Sequence, residues 1–74
     1  MAKRRYSSEL REQQAAATRE RVVRAAAELF AARGYAGTSL PQIARHAGVS
    51  TETVQAHGPK LHLLRAAIDR SEER

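Results

Sequence analysis

Large apolar residues are sparse along this chain and fall into short helical stripes punctuated by glycine. From Ser8 to Arg33 there is no Gly or Pro, and most residues are strong helix formers. Val22, Ala26, Leu29 and Phe30, with Val23 beside them, recur at the spacing of one helical face. Arg19, Glu20, Arg24, Glu28 and Arg33 fall largely elsewhere and offer surface pairs such as Glu20–Arg24. Gly34 follows in the position of a left-handed C-cap. The spacing predicts a helix over about 9–33. Its early part, 9–17, carries almost no large apolar group and is expected to project or fray.

After the loop GYAGTS a second start signal appears. Ser39 with Gln42 three residues on forms a capping-box pattern, and Pro41 is tolerated in a first turn. Leu40, Ile43, Ala44 and Ala47 make an apolar stripe that ends at Gly48, predicting a helix over 40–47. Ser50 caps a third helix, 51–57. Gly58-Pro59 separates it from a fourth over about 60–70, where Leu61, Leu64, Ala67 and Ile68 share a face. The middle is thus a short helix, a turn AGVS and another short helix. Helices crossing steeply need a turn residue that tolerates a left-handed backbone, supplied by Gly48, and a small residue at the crossing, supplied by Ala44. Ile43, Val49 and Val54 are spaced to plug the crossing against the first helix. Thr51, Glu52, Gln55 and Ala56 remain outward, short or polar groups able to enter a major groove. The expected fold is all-α, a three-helix bundle with a helix-turn-helix plus the start of a fourth, connecting helix. A bundle whose third helix is merely polar fits the same pattern, so both readings stand at this point.

Composition narrows the choice. Seventy-four residues make one small domain, and 15 of the residues in its 42% hydrophobic fraction are alanines, which bury little area. One Phe, two Tyr and no Trp argue against an all-β fold. The absence of cysteine excludes disulfides, thiolate metal sites and thiol nucleophiles. No apolar run approaches the roughly 18 residues that span a bilayer, and MAKRRYSSEL lacks the apolar stretch of a secretory signal. The chain reads as soluble and cytoplasmic. A net charge of +5 favours polyanionic partners, with DNA, RNA and anionic membrane all open. Residues 1–8, with Lys3, Arg4 and Arg5, read as a flexible basic arm, either a solubilising tail or one that follows phosphates or a minor groove. His46, His57 and His62 have no acidic residue at ligand spacing, so no metal or cofactor is expected. Nothing resembles a nucleophile–base pair or a phosphate-cradling glycine loop, and an enzyme is not expected.

The segment TRERVVRAAAELFAARGYAGTSLPQIARHAGVSTETV, residues 18–54, resembles the DNA-binding domain of the TetR family of bacterial transcriptional regulators. The resemblance is carried by Ala25-Ala26, Leu29-Phe30, Gly34-Tyr35, Thr38-Ser39, Ile43-Ala44, Ala47-Gly48-Val49-Ser50 and Thr53-Val54. It implies that residues 9–74 are a helix-turn-helix domain whose fourth helix leads to a C-terminal ligand-binding and dimerisation domain absent from this chain, which is expected to be a fragment. By the same resemblance Ser39, Leu40 and Lys60 contact backbone phosphates, and Ser50, Thr51, Glu52, Thr53, Gln55 and His57 face DNA. The implied mechanism is a repressor homodimer on a pseudo-palindromic operator in double-stranded DNA, released by a small-molecule effector bound in the missing domain.

Several positions depart from the family pattern. In TVQAHGPK, Gln55 stands where a phosphate-contacting tyrosine is usual, a phenylalanine is absent, and the Thr53-to-Lys60 spacing is one residue shorter. His57 or Leu61 is expected to fill part of the missing ring's volume. Gln55 can bond a phosphate or an adenine edge, and Glu52 can accept from a cytosine amino group or simply stabilise its own helix. Pro41 removes a polar DNA contact. Two other classes remain: a basic helical protein-interaction module without specific DNA readout, and an amphipathic membrane binder, against which the weak alanine-based apolar face argues.

Overall fold

The computed structural model describes the backbone of residues 2–72 and the side-chain surroundings of 9–72. Four helices follow one another: α1 (Ala2–Arg33), α2 (Leu40–Ala47), α3 (Thr51–Ala56) and α4 (Lys60–Glu72). The fold is all-α, as the apolar periodicity and composition predict.

α1 is longer than the expected 9–33, starting at Ala2. Residues 2–8 contain no helix breaker, and extending a formed helix adds a hydrogen bond per residue without a new nucleation step. The segment read as a flexible arm therefore continues α1 as helical backbone, while the side chains of Lys3, Arg4 and Arg5 lie outside the described residues. Its 32 residues span about 48 Å at 1.5 Å each, matching the 47 Å long axis of the molecule. Residues 9–17 are exposed throughout, so this half of α1 projects beyond the bundle, as its lack of apolar groups leads one to expect.

The core forms where α1, α2 and α4 meet and Val54 of α3 reaches in. Val22, Ala25, Ala26, Ile43, Ala44, Ala47, Val54 and Leu63 make one buried cluster, with Leu29, Phe30, Leu40 and Val49 packed against its edge. The alanines at 25, 26, 44 and 47 let the helices approach closely but contribute little area, so the few large side chains carry most of the hydrophobic stabilisation. α4 departs from expectation. It buries Leu63 and Ala67, with Leu64 half-buried, whereas Leu61 and Ile68 are 55% and 48% exposed. Residues 63 and 67 are one turn apart on the face that meets α1, and 61 and 68 lie on an adjoining stripe that stays about half exposed.

α1 and α4 run in opposite senses: Lys60 at the start of α4 lies beside Tyr35 after the end of α1, and Arg70 pairs with Glu20. The Arg70 Nε–H donates to Glu20 Oε1 at 2.9 Å. That hydrogen bond, then the charges of Arg70, Arg24 and Arg19, hold the Glu20 carboxyl below its ordinary value of 4.5 against an opposing desolvation. A lowered folded-state pKa means that the stabilisation is present above the unfolded value and disappears as pH falls through the folded one. Glu20→Gln is therefore expected to lower the melting temperature slightly at neutral pH, the difference vanishing in acid and shrinking with added salt, as measured by thermal melts across pH.

Candidate nucleic-acid interface

α2 begins with a complete capping box. The Gln42 N–H donates to Ser39 Oγ at 3.3 Å, and the Ser39 N–H donates to Gln42 Oε1 at 2.9 Å. Ile43 N–H bonds the Ser39 carbonyl and Pro41 has no N–H, so the first turn of α2 leaves the Leu40 amide as its one open donor among the described residues. The loop ahead of it is closed by Thr38, only 2% exposed, whose hydroxyl donates towards the α1-terminal carbonyls of Gly34 at 2.9 Å and Leu29 at 3.2 Å. Gly34 ends α1 with φ 78°, the left-handed cap its position suggests.

The turn between α2 and α3 needs its glycine. Gly48 has φ 76°, and a Cβ built there would sit 3.0 Å from Arg21 Nη2. The Gly48 and Val49 amides fold back on α2, Gly48 N–H to the Arg45 carbonyl at 3.2 Å and Val49 N–H to that of Ala44 at 3.0 Å. Arg21 Nη2 donates to the Ala47 carbonyl at 2.7 Å from across the bundle. Sequence reasoning gives Arg21 no role, and nothing local could do so, because its partner is 26 residues away.

α3 starts at Ser50, whose Oγ accepts the Thr53 N–H at 3.1 Å and lies 2.9 Å from Thr53 Oγ1. These two hydroxyls are thus already engaged with each other. Val54 is fully buried and anchors the helix from behind. At about 100° per residue, Glu52 and Ala56 lie opposite Val54 and Gln55 on one flank. These three are exposed, whereas Thr51, Thr53 and His57 are half-buried. His57 turns to the far flank, where it borders a cleft of about 330 Å³ between α1 and α4 with Arg19, Val23, His62, Leu63 and Arg65 among its walls. Leu61 does not enter that space, being 55% exposed.

Lys60 is the first residue of α4, where a cation opposes the helix dipole. Its Nζ lies 4.2 Å from the centroid of the Tyr35 ring, which in turn packs against Phe30 at 5.5 Å between centroids. A cation–π contact of this kind offsets the dipole term and fixes the ammonium beside the loop that leads into Ser39. Tyr35 is the second supporting residue to which sequence reasoning gives no function. Lys60 and the α2 N-terminus are therefore on one side of the domain. His46 is elsewhere, with its Nε2 2.8 Å from Glu28 Oε1. Among the described residues no three His, Cys, Asp or Glu side chains gather to hold a metal ion, and no helix is long and apolar enough to cross a membrane.

Comparison with known proteins agrees with this geometry. Residues 22–57, spanning the end of α1 through the close of α3, match the family described as bacterial regulatory proteins, tetR family. The HTH-type transcriptional regulator SrpR of Pseudomonas putida is 44% identical over 52 residues, covering 69% of this chain and 24% of that protein. The uncharacterized HTH-type transcriptional regulator TtgW, from a strain of the same species, is also 44% identical over 52 residues, covering 69% of this chain and 39% of that one. No solved structure matches the chain. The match thus spans well under half the length of either relative. On this match, the segment of the chain that holds the capped α2, the glycine turn and the α3 pinned by Val54 belongs to the tetR family of bacterial regulatory proteins, as its N-terminal helix-turn-helix domain.

Proposed function

We propose that this domain binds double-stranded DNA sequence-specifically by laying α3 in the major groove. The observation that carries the reading is the outer face of α3, where Glu52, Gln55 and Ala56 are exposed on a helix held from behind by buried Val54. Gln55, with Thr51 on the same flank, reaches base edges. Glu52 accepts from a cytosine amino group where one is present. Ser50 and Thr53, bonded to each other, order the start of α3 and offer only their remaining acceptor and donor capacity to DNA. His57, on the flank that borders the cleft between α1 and α4, is given no base contact.

Phosphates are held at two seats. The open Leu40 amide and Ser39 at the positive end of α2 form one seat, and Lys60, presented by Tyr35, forms the other. Lys3, Arg4 and Arg5, in the first turn of α1, add positive charge that favours a polyanion, in keeping with the net charge of +5. In the wider protein, a homodimer would place two such domains on a pseudo-palindromic operator in the cytoplasm, and a small molecule bound in a C-terminal domain would change their spacing and release repression. No catalytic step belongs to this reading.

Selection of bound duplexes from a random pool tests it. The wild-type chain should enrich a defined half-site, with affinity that falls steeply as salt rises. Thr51→Ala combined with Gln55→Ala should weaken binding to that duplex by about tenfold or more, since each good base contact discriminates by about 1–3 kcal/mol. Binding to unrelated DNA should change little. Undiminished binding of the selected duplex by the double variant would remove α3 as the reading helix.

A further inference from the structure

We propose that Arg21 sets the angle between α2 and α3 and is a positioning residue for DNA recognition, an inference that rests on the DNA-binding reading above. Its Nη2 donates to the carbonyl of Ala47, the last residue of α2, at 2.7 Å. Of the other terminal carbonyls of α2, that of Ala44 is served locally by Val49 N–H and that of Arg45 by Gly48 N–H. Ala47 is 8% exposed, and its carbonyl has no protein partner but Arg21 among the described residues. A buried-side carbonyl at the negative end of a helix is a strong acceptor for a guanidinium.

Three further facts make this contact a tether. Gly48 lies directly under the guanidinium, and a Cβ there would come within 3.0 Å of Nη2, so the glycine that permits the turn also lets Arg21 close over it. Arg21 is not drawn elsewhere: the ion pairs among the described residues are His46–Glu28 and Arg70–Glu20. Its neighbour Val22 is fully buried, so the tether's root is fixed in the core. The long helix α1 is thereby joined to the pivot between the two short helices. α2 and α3 each carry part of the proposed interface, Leu40 and Ser39 on one, Gln55 and Glu52 on the other. Both parts meet one duplex only at the right inter-helix angle, because hydrogen bonds weaken steeply with misalignment.

The alternative role for Arg21 is a direct phosphate contact, and the two roles separate cleanly. The experiment measures binding of the wild-type chain and of Arg21→Ala, Arg21→Gln and Arg21→Lys to the selected duplex and to an unrelated duplex of equal length, across salt. Amide exchange at Val49 and Thr53 is followed in the same proteins. Arg21→Ala should weaken the selected duplex about tenfold, the scale of one lost charge-assisted hydrogen bond, with the unrelated duplex nearly unaffected and the salt slope unchanged. Exchange at Val49 should quicken. Arg21→Lys, and the uncharged donor in Arg21→Gln, should restore much of the selectivity. If Arg21→Ala does not fold, those two variants decide. Equal loss on both duplexes with a salt slope shallower by about one would show a phosphate contact and overturn the proposal. Unchanged affinity and exchange would overturn it as well. If the wild-type chain selects no duplex, the DNA reading fails by itself, and exchange at Val49 still judges the tether: no change there removes it.

Discussion

Replacing Ile43 by alanine should leave the domain largely unfolded near physiological temperature. Ile43 is fully buried and is the largest of the fully buried side chains. It sits in α2 within a cluster whose other members include Val22, Ala26, Val54 and Leu63. Truncating a buried isoleucine to alanine costs about 2–5 kcal/mol, the upper part of that range applying where the surroundings cannot collapse into the gap. Here they cannot, because half of the cluster is already alanine on helices in close approach. A domain this small holds only about 5 kcal/mol in total. Thermal unfolding followed by circular dichroism should show a midpoint lower by about 15 °C or more, since about 1 kcal/mol shifts a domain of this size by about 4–8 °C. Ile68→Ala is the matched control. At 48% exposed, Ile68 gives up little burial, and its loss should move the midpoint by only a few degrees.

Gly48→Val should be the most damaging single change in the turn, for function as well as stability. The backbone there has φ 76°, a region in which a β-branched residue is strained by about 1–3 kcal/mol. The new side chain also meets Arg21 Nη2, which a Cβ alone would approach to 3.0 Å. The guanidinium is the movable partner, so it gives way and the bond to the Ala47 carbonyl is lost with it. Gly48→Val should therefore combine lower stability with a loss of sequence selectivity exceeding that of Arg21→Ala. Gly48→Ala should do the same to a smaller degree. Melting temperatures and duplex binding measured on the two variants test the order. Equal binding by Gly48→Val and wild type would mean that the turn does not control the interface.

Much of the architecture is legible in local signals. The bounds of α2 follow from the Ser39–Gln42 box and Gly48, and the structure realises both, with reciprocal hydrogen bonds at one end and a left-handed glycine at the other. The start of α3 follows from Ser50 in the same way. These devices act over three or four residues, so a sequence displays them directly. The burial of Ile43 and Val54 follows from helical spacing, since each lies on the one apolar stripe that its helix possesses.

Elsewhere the pattern is degenerate or silent. α4 offers Leu61, Leu63, Leu64, Ala67 and Ile68, which supply two overlapping stripes, and only its docking against α1 selects Leu63 and Ala67 for the core. Residues 2–8 carry charge without periodicity, a signal that does not distinguish an arm from a polar continuation of α1. Arg21 and Tyr35 are invisible as supporting residues, because the carbonyl of Ala47 and the ammonium of Lys60 are distant in sequence. Family resemblance groups His57 with the DNA-facing residues, yet its side chain borders the cleft beside α1 and α4. Local sequence thus dictates where α2 and α3 begin, where α1 and α2 stop, which of their residues turn inward, and the family to which the pattern belongs. Packing alone selects the buried stripe of α4 and the side chains of α1 and its following loop that brace the turn and Lys60. Caps and periodicity are set by neighbours within a turn or two of helix, whereas these contacts exist only after distant segments have been packed together.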